Sequence, residues 1–139
     1  MKYLSLIIMI LMSPSCSISK KNTSVVKEKL IVTFSKGKCL GNCPVYDLYI
    51  YNNGRVVYNG IDNVNKKGVY ETLIPLDTVK RIEYLMKHFS PEEIGNTNGR
   101  DIPFTILKIN DKKVVYRSTR SSGNLLKINN LIENIKDKL

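Results

Sequence analysis

Val45-Tyr46-Asp47-Leu48-Tyr49-Ile50-Tyr51-Asn52-Asn53-Gly54-Arg55-Val56-Val57-Tyr58-Asn59 decides the fold class. Two runs rich in β-branched and aromatic residues flank Asn-Gly, a pair that tolerates the positive φ of a tight hairpin turn. With Asn53-Gly54 as a two-residue loop, Tyr51 is expected opposite Val56, Ile50 opposite Val57 and Tyr49 opposite Tyr58. Both faces of this hairpin are then substantially apolar, and the pattern alone leaves open which one meets solvent.

Upstream, Leu30, Val32 and Phe34 alternate along one side of a further strand that ends at Lys36-Gly37-Lys38. Downstream, Gly68 to Leu73 reads as a fourth strand. Pro75-Leu76-Asp77 opens a helix with Asp77 as the expected cap, and Val79, Ile82, Leu85, Met86 and Phe89 recur at three- and four-residue steps. Glu83 and Lys87, four apart, form an expected pair on its outer surface. Ser90-Pro91 stops the helix, and positions 92 to 101 read as the longest stretch without regular structure. Pro103 to Ile109 and Lys112 to Ser118 form a second hairpin about Asn110-Asp111. A final helix carries Leu125, Ile128, Leu131, Ile132, Ile135 and Leu139 on one face. Each helix has a single apolar stripe and needs a sheet to cover. The expectation is one α+β domain over 30–139, with a mainly antiparallel sheet, two packed helices and the order ββββ-α-ββ-α.

The N-terminus has a different character. Met1-Lys2 precedes about ten apolar residues, Tyr3 to Met12, and then Ser13-Pro14-Ser15-Cys16. A positive start, a short greasy run and small residues make a secretory signal peptide, too short to span a bilayer as a helix. The end of the segment resembles the lipobox of bacterial lipoproteins, with Ser15 as the small residue before a Cys16 that carries the acyl chains; Ser13 and Pro14 depart from the usual pattern. Residues 1–15 are therefore expected to be removed, and 16–29 to form the lipidated cysteine and a polar, Lys-rich tether. The protein is expected to be exported and lipid-anchored to a bacterial membrane, the outer membrane.

The chain of 139 residues carries a net charge of +10. Its positive charge is spread along the sequence and Lys outnumbers Arg, so nucleic acid is not the expected partner. Lys20, Lys21, Lys27 and Lys29 suit an anionic lipid surface beside the anchor. One His and twelve carboxylates supply few acid–base constellations. Asp47, Arg100, Asp101, Arg117, Arg120 and Tyr46 are the polar residues available, and no motif gathers them, so no catalytic residue is assigned.

Lys36-Gly37-Lys38-Cys39-Leu40-Gly41-Asn42-Cys43-Pro44 is the most distinctive run. In an exported protein Cys39 and Cys43 fit a disulfide closing a tight loop. Three other readings stay open. A thiol redox site needs a helix after the cysteines, where a strand is expected here. A Cu or Zn site has His88 as its candidate third ligand, and the CxxxCP spelling resembles the copper motif of the Sco-type assembly proteins, whose thioredoxin fold is absent. A binding loop would present Lys36 and Lys38, with Tyr46 and Asp101 as further candidate contact residues. The eight tyrosines fill strands well, or make an amphipathic patch for an envelope protein or glycan. No metal and no cofactor is assigned.

The run from Lys36 to Ile50, with Asn53-Gly54-x-Val56-x-Tyr58 and Gly68-x-Tyr70, resembles the DUF6438 family, whose members are commonly Bacteroidetes-type lipoproteins. The resemblance covers about Ile31 to Ile135. It implies that Asp101-Ile102-Pro103 and the final helix are family segments, and it implies no activity. Two functions follow as expectations: a membrane-tethered, non-catalytic binding or assembly domain of the cell envelope, or a thiol redox or Cu/Zn-handling protein using Cys39 and Cys43.

Overall fold

A computed structural model describes residues 27–99 and 101–139. The expected signal peptide, Cys16, most of the tether and Arg100 lie outside them. The element order is β1 (Leu30–Lys36), β2 (Val45–Tyr51), β3 (Arg55–Asp62), β4 (Gly68–Leu73), α1 (Leu76–Lys87), β5 (Thr105–Ile109), β6 (Lys112–Tyr116) and α2 (Gly123–Lys136). All six strands form one antiparallel sheet in the order β4-β3-β2-β1-β5-β6. This is the expected α+β domain with the expected ββββ-α-ββ-α order.

The β2–β3 hairpin corrects the expected register by one residue. Ile50 faces Val56, Tyr49 faces Val57 and Leu48 faces Tyr58. The loop has three residues, Asn52-Asn53-Gly54, and Gly54 alone among them has positive φ, +84°. A two-residue type I′ turn needs positive φ at both central residues, whereas a three-residue loop needs it only at its last. Gly54 N–H donates to the Tyr51 carbonyl at 3.0 Å, and Arg55 N–H donates to Asn53 Oδ1 at 3.0 Å. Directly opposed residues share a face, so this register sorts the sheet. Tyr46, Leu48, Ile50, Val56 and Tyr58 all point to the buried side. Asp47, Tyr49, Tyr51, Val57 and Asn59 occupy the other face, half-buried.

Both helices cover the first face. Val79, Ile82, Leu85 and Met86 of α1 and Leu125, Ile128, Ile132 and Ile135 of α2 meet Val32, Phe34, Leu48, Ile50, Leu107 and Ile109 in one core. Each such aliphatic side chain contributes about 1.5–3 kcal/mol by leaving water. Phe34, Tyr46, Tyr58 and Tyr70 form an aromatic line across β1 to β4, with successive centroids 6.1, 5.5 and 6.3 Å apart.

Local details differ from expectation in three places. Helix α1 is entered from Pro75, and Asp77 lies in its first turn without capping it, because Pro75 already provides the extended entry residue. Glu83 accepts a hydrogen bond from Asn110 Nδ2 at 3.1 Å, which joins α1 to the β5–β6 turn in place of the expected pair with Lys87. The stretch after α1 begins with a 3₁₀ helix, Pro91–Ile94, because Ile94 packs against the core and orders the turn.

The end of the expected tether is bound to the hairpin loop. Asn52 N–H donates to the Lys29 carbonyl at 2.9 Å, Lys29 N–H donates back to Asn52 Oδ1 at 2.9 Å, and Glu28 forms a two-oxygen pair with Arg55 at 2.9 Å. The chain thus enters the domain at the hairpin-loop end of the sheet.

Gly54→Ala should be costly. A Cβ there would overlap the Ile74 carbonyl oxygen, and the left-handed backbone penalises any L side chain. A loss of about 2 kcal/mol is expected, read as a lower midpoint in urea with unchanged slope.

Candidate functional site at the cysteine end of the sheet

The site lies where β1 ends and β2 begins, at the end opposite the hairpin loop. Cys39 and Cys43 form a disulfide with Cα atoms 5.8 Å apart, in the usual range for the bond. Gly41 N–H donates to Cys39 Sγ at 3.2 Å. The loop is tied down on both sides. Gly37 N–H donates to the Phe104 carbonyl at 3.0 Å, and Asn63 Nδ2 donates to the Cys43 carbonyl at 3.3 Å. At its crest Leu40 is 75% exposed, an apolar side chain held out by a closed ring.

Between this loop and the segment before β5 is a cleft of about 320 Å³ lined by Lys38, Cys39, Leu40, Gly99, Ile102, Phe104 and Arg117. Arg117 is only 3% exposed, and its guanidinium lies over the Phe104 ring at 4.2 Å. Its Nε donates to the Thr97 carbonyl at 2.7 Å and its Nη2 to the Gly99 carbonyl. Arg120 Nη1 donates to the carbonyls of Asn96, at 3.4 Å, and Asn98. Two arginines therefore take the four carbonyls from 96 to 99 in alternation. They supply the hydrogen-bond partners that a neighbouring strand would otherwise provide.

Behind the cleft the helix-covered face turns polar. The register sets Tyr46 opposite Lys36, Lys36 opposite Thr105, and Thr105 opposite Tyr116, so these four form one row across β2, β1, β5 and β6. Helix α2 meets the row with Asn129, Glu133 and Lys136, which recur at steps of four and three. Lys36 Nζ lies 3.0 Å from Glu133 Oε1 and donates to Ser118 Oγ at 2.9 Å. Lys136 Nζ is 3.3 Å from Glu133 Oε2, 2.9 Å from Asp137 Oδ1, and 5.5 Å from the Tyr46 ring centre. Tyr116 donates to Asn129 Oδ1 at 3.3 Å. The hydroxyls of Tyr46 and Thr105 are buried and make no hydrogen bond to any described group.

Burial alone would raise the Glu133 pKa, but the charge of Lys36, its hydrogen bond, and the charge of Lys136 outweigh it and hold the carboxyl below its ordinary range. Tyr46 moves well above the ordinary phenol value, first through burial and then through the neighbouring Glu133. It stays a neutral phenol. Tyr116 shifts upward for the same two reasons. A carboxylate held in its charged form beside two phenols held in their neutral form makes the row a fixed set of charges and dipoles. On its far side a second cavity of about 360 Å³ is lined by Tyr46, Tyr58, Lys66, Lys136 and Asp137, among others.

The structure places Lys38 and Cys39 on the cleft, with Cys43 bonded to Cys39 behind them. Lys36 and Tyr46 are cross-strand neighbours beneath the sheet, Tyr46 fully buried and the Lys36 side chain 10% exposed. Asp101 is exposed on the segment that leads into the cleft wall. His88 ends α1, its Nδ1 2.8 Å from the Tyr84 carbonyl and its ring tilted against that of Tyr84 with centres 4.2 Å apart. Among the described residues no three His, Cys, Asp or Glu side chains gather as a metal-binding set. Asp47 lies on the open face and accepts a hydrogen bond from Ser35. Glu133, Ser118, Thr105 and Asn129 escaped sequence reading. A signal existed for two of them, since Asn129 and Glu133 interrupt the apolar stripe of α2 between Ile128, Ile132 and Ile135. For Ser118 and Thr105 there was none.

The sequence model of a family described as "Domain of unknown function (DUF6438)" matches residues 30–137. That span contains the whole sheet, both helices and the cysteine loop. No curated protein matches the chain.

Glu133→Gln keeps the volume and removes the charge that Lys36 and Lys136 share. It should cost about 1–3 kcal/mol at neutral pH. Because the folded-state pKa is depressed, the advantage of the native carboxylate is complete above the unfolded value of 4.5 and is lost as pH falls through the lower folded one. Urea titrations of both proteins from pH 7 to pH 3 should therefore converge at the acid end.

Proposed function

Since the chain belongs to the DUF6438 family, we propose that it is a lipid-anchored, non-catalytic binding domain of the bacterial cell envelope, with the cysteine end of its sheet as the contact surface. The observation that carries this reading is the position of the two chain features on β1. The chain enters β1 at Lys29–Leu30, against the hairpin loop, and leaves it at Lys36, beside the cysteine loop. Seven strand residues separate the two ends by about 20 Å. An anchor at Cys16, joined through a polar tether, then holds the domain by one end and presents the other away from the lipid. A disulfide-closed turn with an exposed Leu40, beside a cleft, suits contact with an envelope protein or glycan, because its shape is set before any partner arrives.

The family match beginning at residue 30 supports reading what precedes it as leader and tether. Lys20, Lys21, Lys27 and Lys29, close in sequence to the anchor, add weak attraction to anionic headgroups.

One observation favours the second reading, thiol redox or Cu/Zn handling by Cys39 and Cys43. The Gly41 N–H aimed at Cys39 Sγ would also stabilise a thiolate if the bond were opened. Intact-mass measurement of the mature protein separates the readings. A form two hydrogens lighter than the reduced one, resistant to mild reductant, is expected for the binding domain. A readily reduced pair, or retained Cu or Zn, supports the other.

Cys16→Ser should release the protein from the membrane pellet without changing its melting temperature. A photo-crosslinking residue at position 40 should give a discrete adduct in cells, and one at the exposed Tyr84 of α1 should not. Equal adducts from both positions, or none from either, would remove the cysteine end as the contact surface.

A further inference from the structure

Arg117 has an unusual electrostatic position. Its guanidinium is desolvated, yet every Asp and Glu of the chain lies among the described residues and none is paired with it. Its bonds run to backbone carbonyls of Thr97 and Gly99, which carry no charge. Nη1 is buried with no hydrogen-bond partner among the described residues. Taking a charged group out of water without a counter-charge is expensive, and a free donor on that group adds to the cost. Arg120 increases the imbalance, because its guanidinium lies within 3.4 Å of where a Gly99 Cβ would stand. Lys38 brings a third positive group to the opposite rim.

The cleft that borders Arg117 has apolar walls in Leu40, Ile102 and Phe104. At its rim Lys38 and Leu40 are exposed, and the Lys38 ammonium has no hydrogen-bond or ion-pair partner among the described residues. A strongly hydrated ion gains little from such walls. An acid attached to an apolar group gains twice, once from the walls and once from the unused guanidinium donor. We infer that the cleft between the cysteine loop and Phe104 binds the carboxylate of an apolar acid, either a small molecule or the C-terminal end of a polypeptide, with Arg117 as counter-ion and Leu40, Ile102 and Phe104 around the apolar part. The inference rests on the reading of the cysteine end as the contact surface and specifies what that surface recognises.

Calorimetric titration of the full chain tests it with four probes at matched ionic strength: phenylacetate, inorganic phosphate, an N-acetylated peptide ending in Phe with a free carboxylate, and its C-terminal amide. Saturable binding of phenylacetate or of the free-acid peptide is expected, with phosphate and the amide silent. Binding of the peptide alone assigns the chain end as the source, and binding of phenylacetate assigns the small acid. Leu40→Asp places a like charge at the rim, in an exposed turn outside the core, and should weaken binding at least about tenfold with the melting temperature unchanged. Arg117→Lys keeps the charge but not the planar fork, and should weaken binding further. No saturable carboxylate binding, equal binding of acid and amide, or indifference to Leu40→Asp would overturn the inference and leave Arg117 as a clamp on residues 97–99. Position-40 crosslinks persisting without carboxylate binding would sink this inference alone, whereas absence of both would sink the contact surface as well.

Discussion

The closing geometry of the β2–β3 hairpin is the constraint on which the rest of the molecule depends. Three loop residues ending in a left-handed Gly54 place Leu48 opposite Tyr58 and Ile50 opposite Val56. With a period of two, the alternative register would mix the two apolar sets and leave no face fit for two helices. From this register follow the aromatic line Phe34–Tyr46–Tyr58–Tyr70 and the burial of Tyr46. The same register, carried through β1 to β5 and β6, brings Lys36 between Tyr46 and Thr105 and so assembles the polar row.

That row is costly to bury, and its composition shows how the cost is offset. Glu133 sits between Lys36 and Lys136, and Lys36 has Ser118 as a second partner. Lost hydration of the carboxylate is replaced by two cations, which is the condition under which a buried charge is tolerated. Tyr46 and Thr105 keep unsatisfied hydroxyls at the edges of the network. A polar row beneath one end of a sheet also opposes slippage. Any shift of β1 against α2 would part Lys36 from Glu133 and leave the lysine without its carboxylate.

Beyond the row, the cysteine end is built with little regular structure. The disulfide closes one wall of the cleft, and the other is an Asn- and Gly-rich segment held by Arg117 and Arg120 through its carbonyls. Long arginine side chains reach across where no strand is available, and the contact of Arg117 with the Phe104 ring helps hold one of them in place. Both walls are thereby tied down, and Leu40 at the crest, Lys38 at the rim, Gly99 and Phe104 are exposed.

Much of the architecture was legible in the sequence because it follows from local rules. Period-two alternation marked the strands, three- and four-residue spacing marked the helices, and both turns lay at Asn-rich positions. The cysteine run and its Lys-rich approach identified the unusual end of the domain and carried the family resemblance. Hairpin register was not legible, since Asn52-Asn53-Gly54 supports a two- or a three-residue loop and the choice is made by which face the helices cover. Nor was the site legible. Lys36 and Glu133 are nearly a hundred positions apart in the chain, and Arg117 shows no local motif. The sequence by itself determined the elements, their order and the cysteine loop, because each rests on interactions between near neighbours. Only the tertiary structure decided which tyrosines are buried, which lysine meets a carboxylate and which arginine has none. Those outcomes depend on burial and on counter-charges supplied from distant parts of the chain.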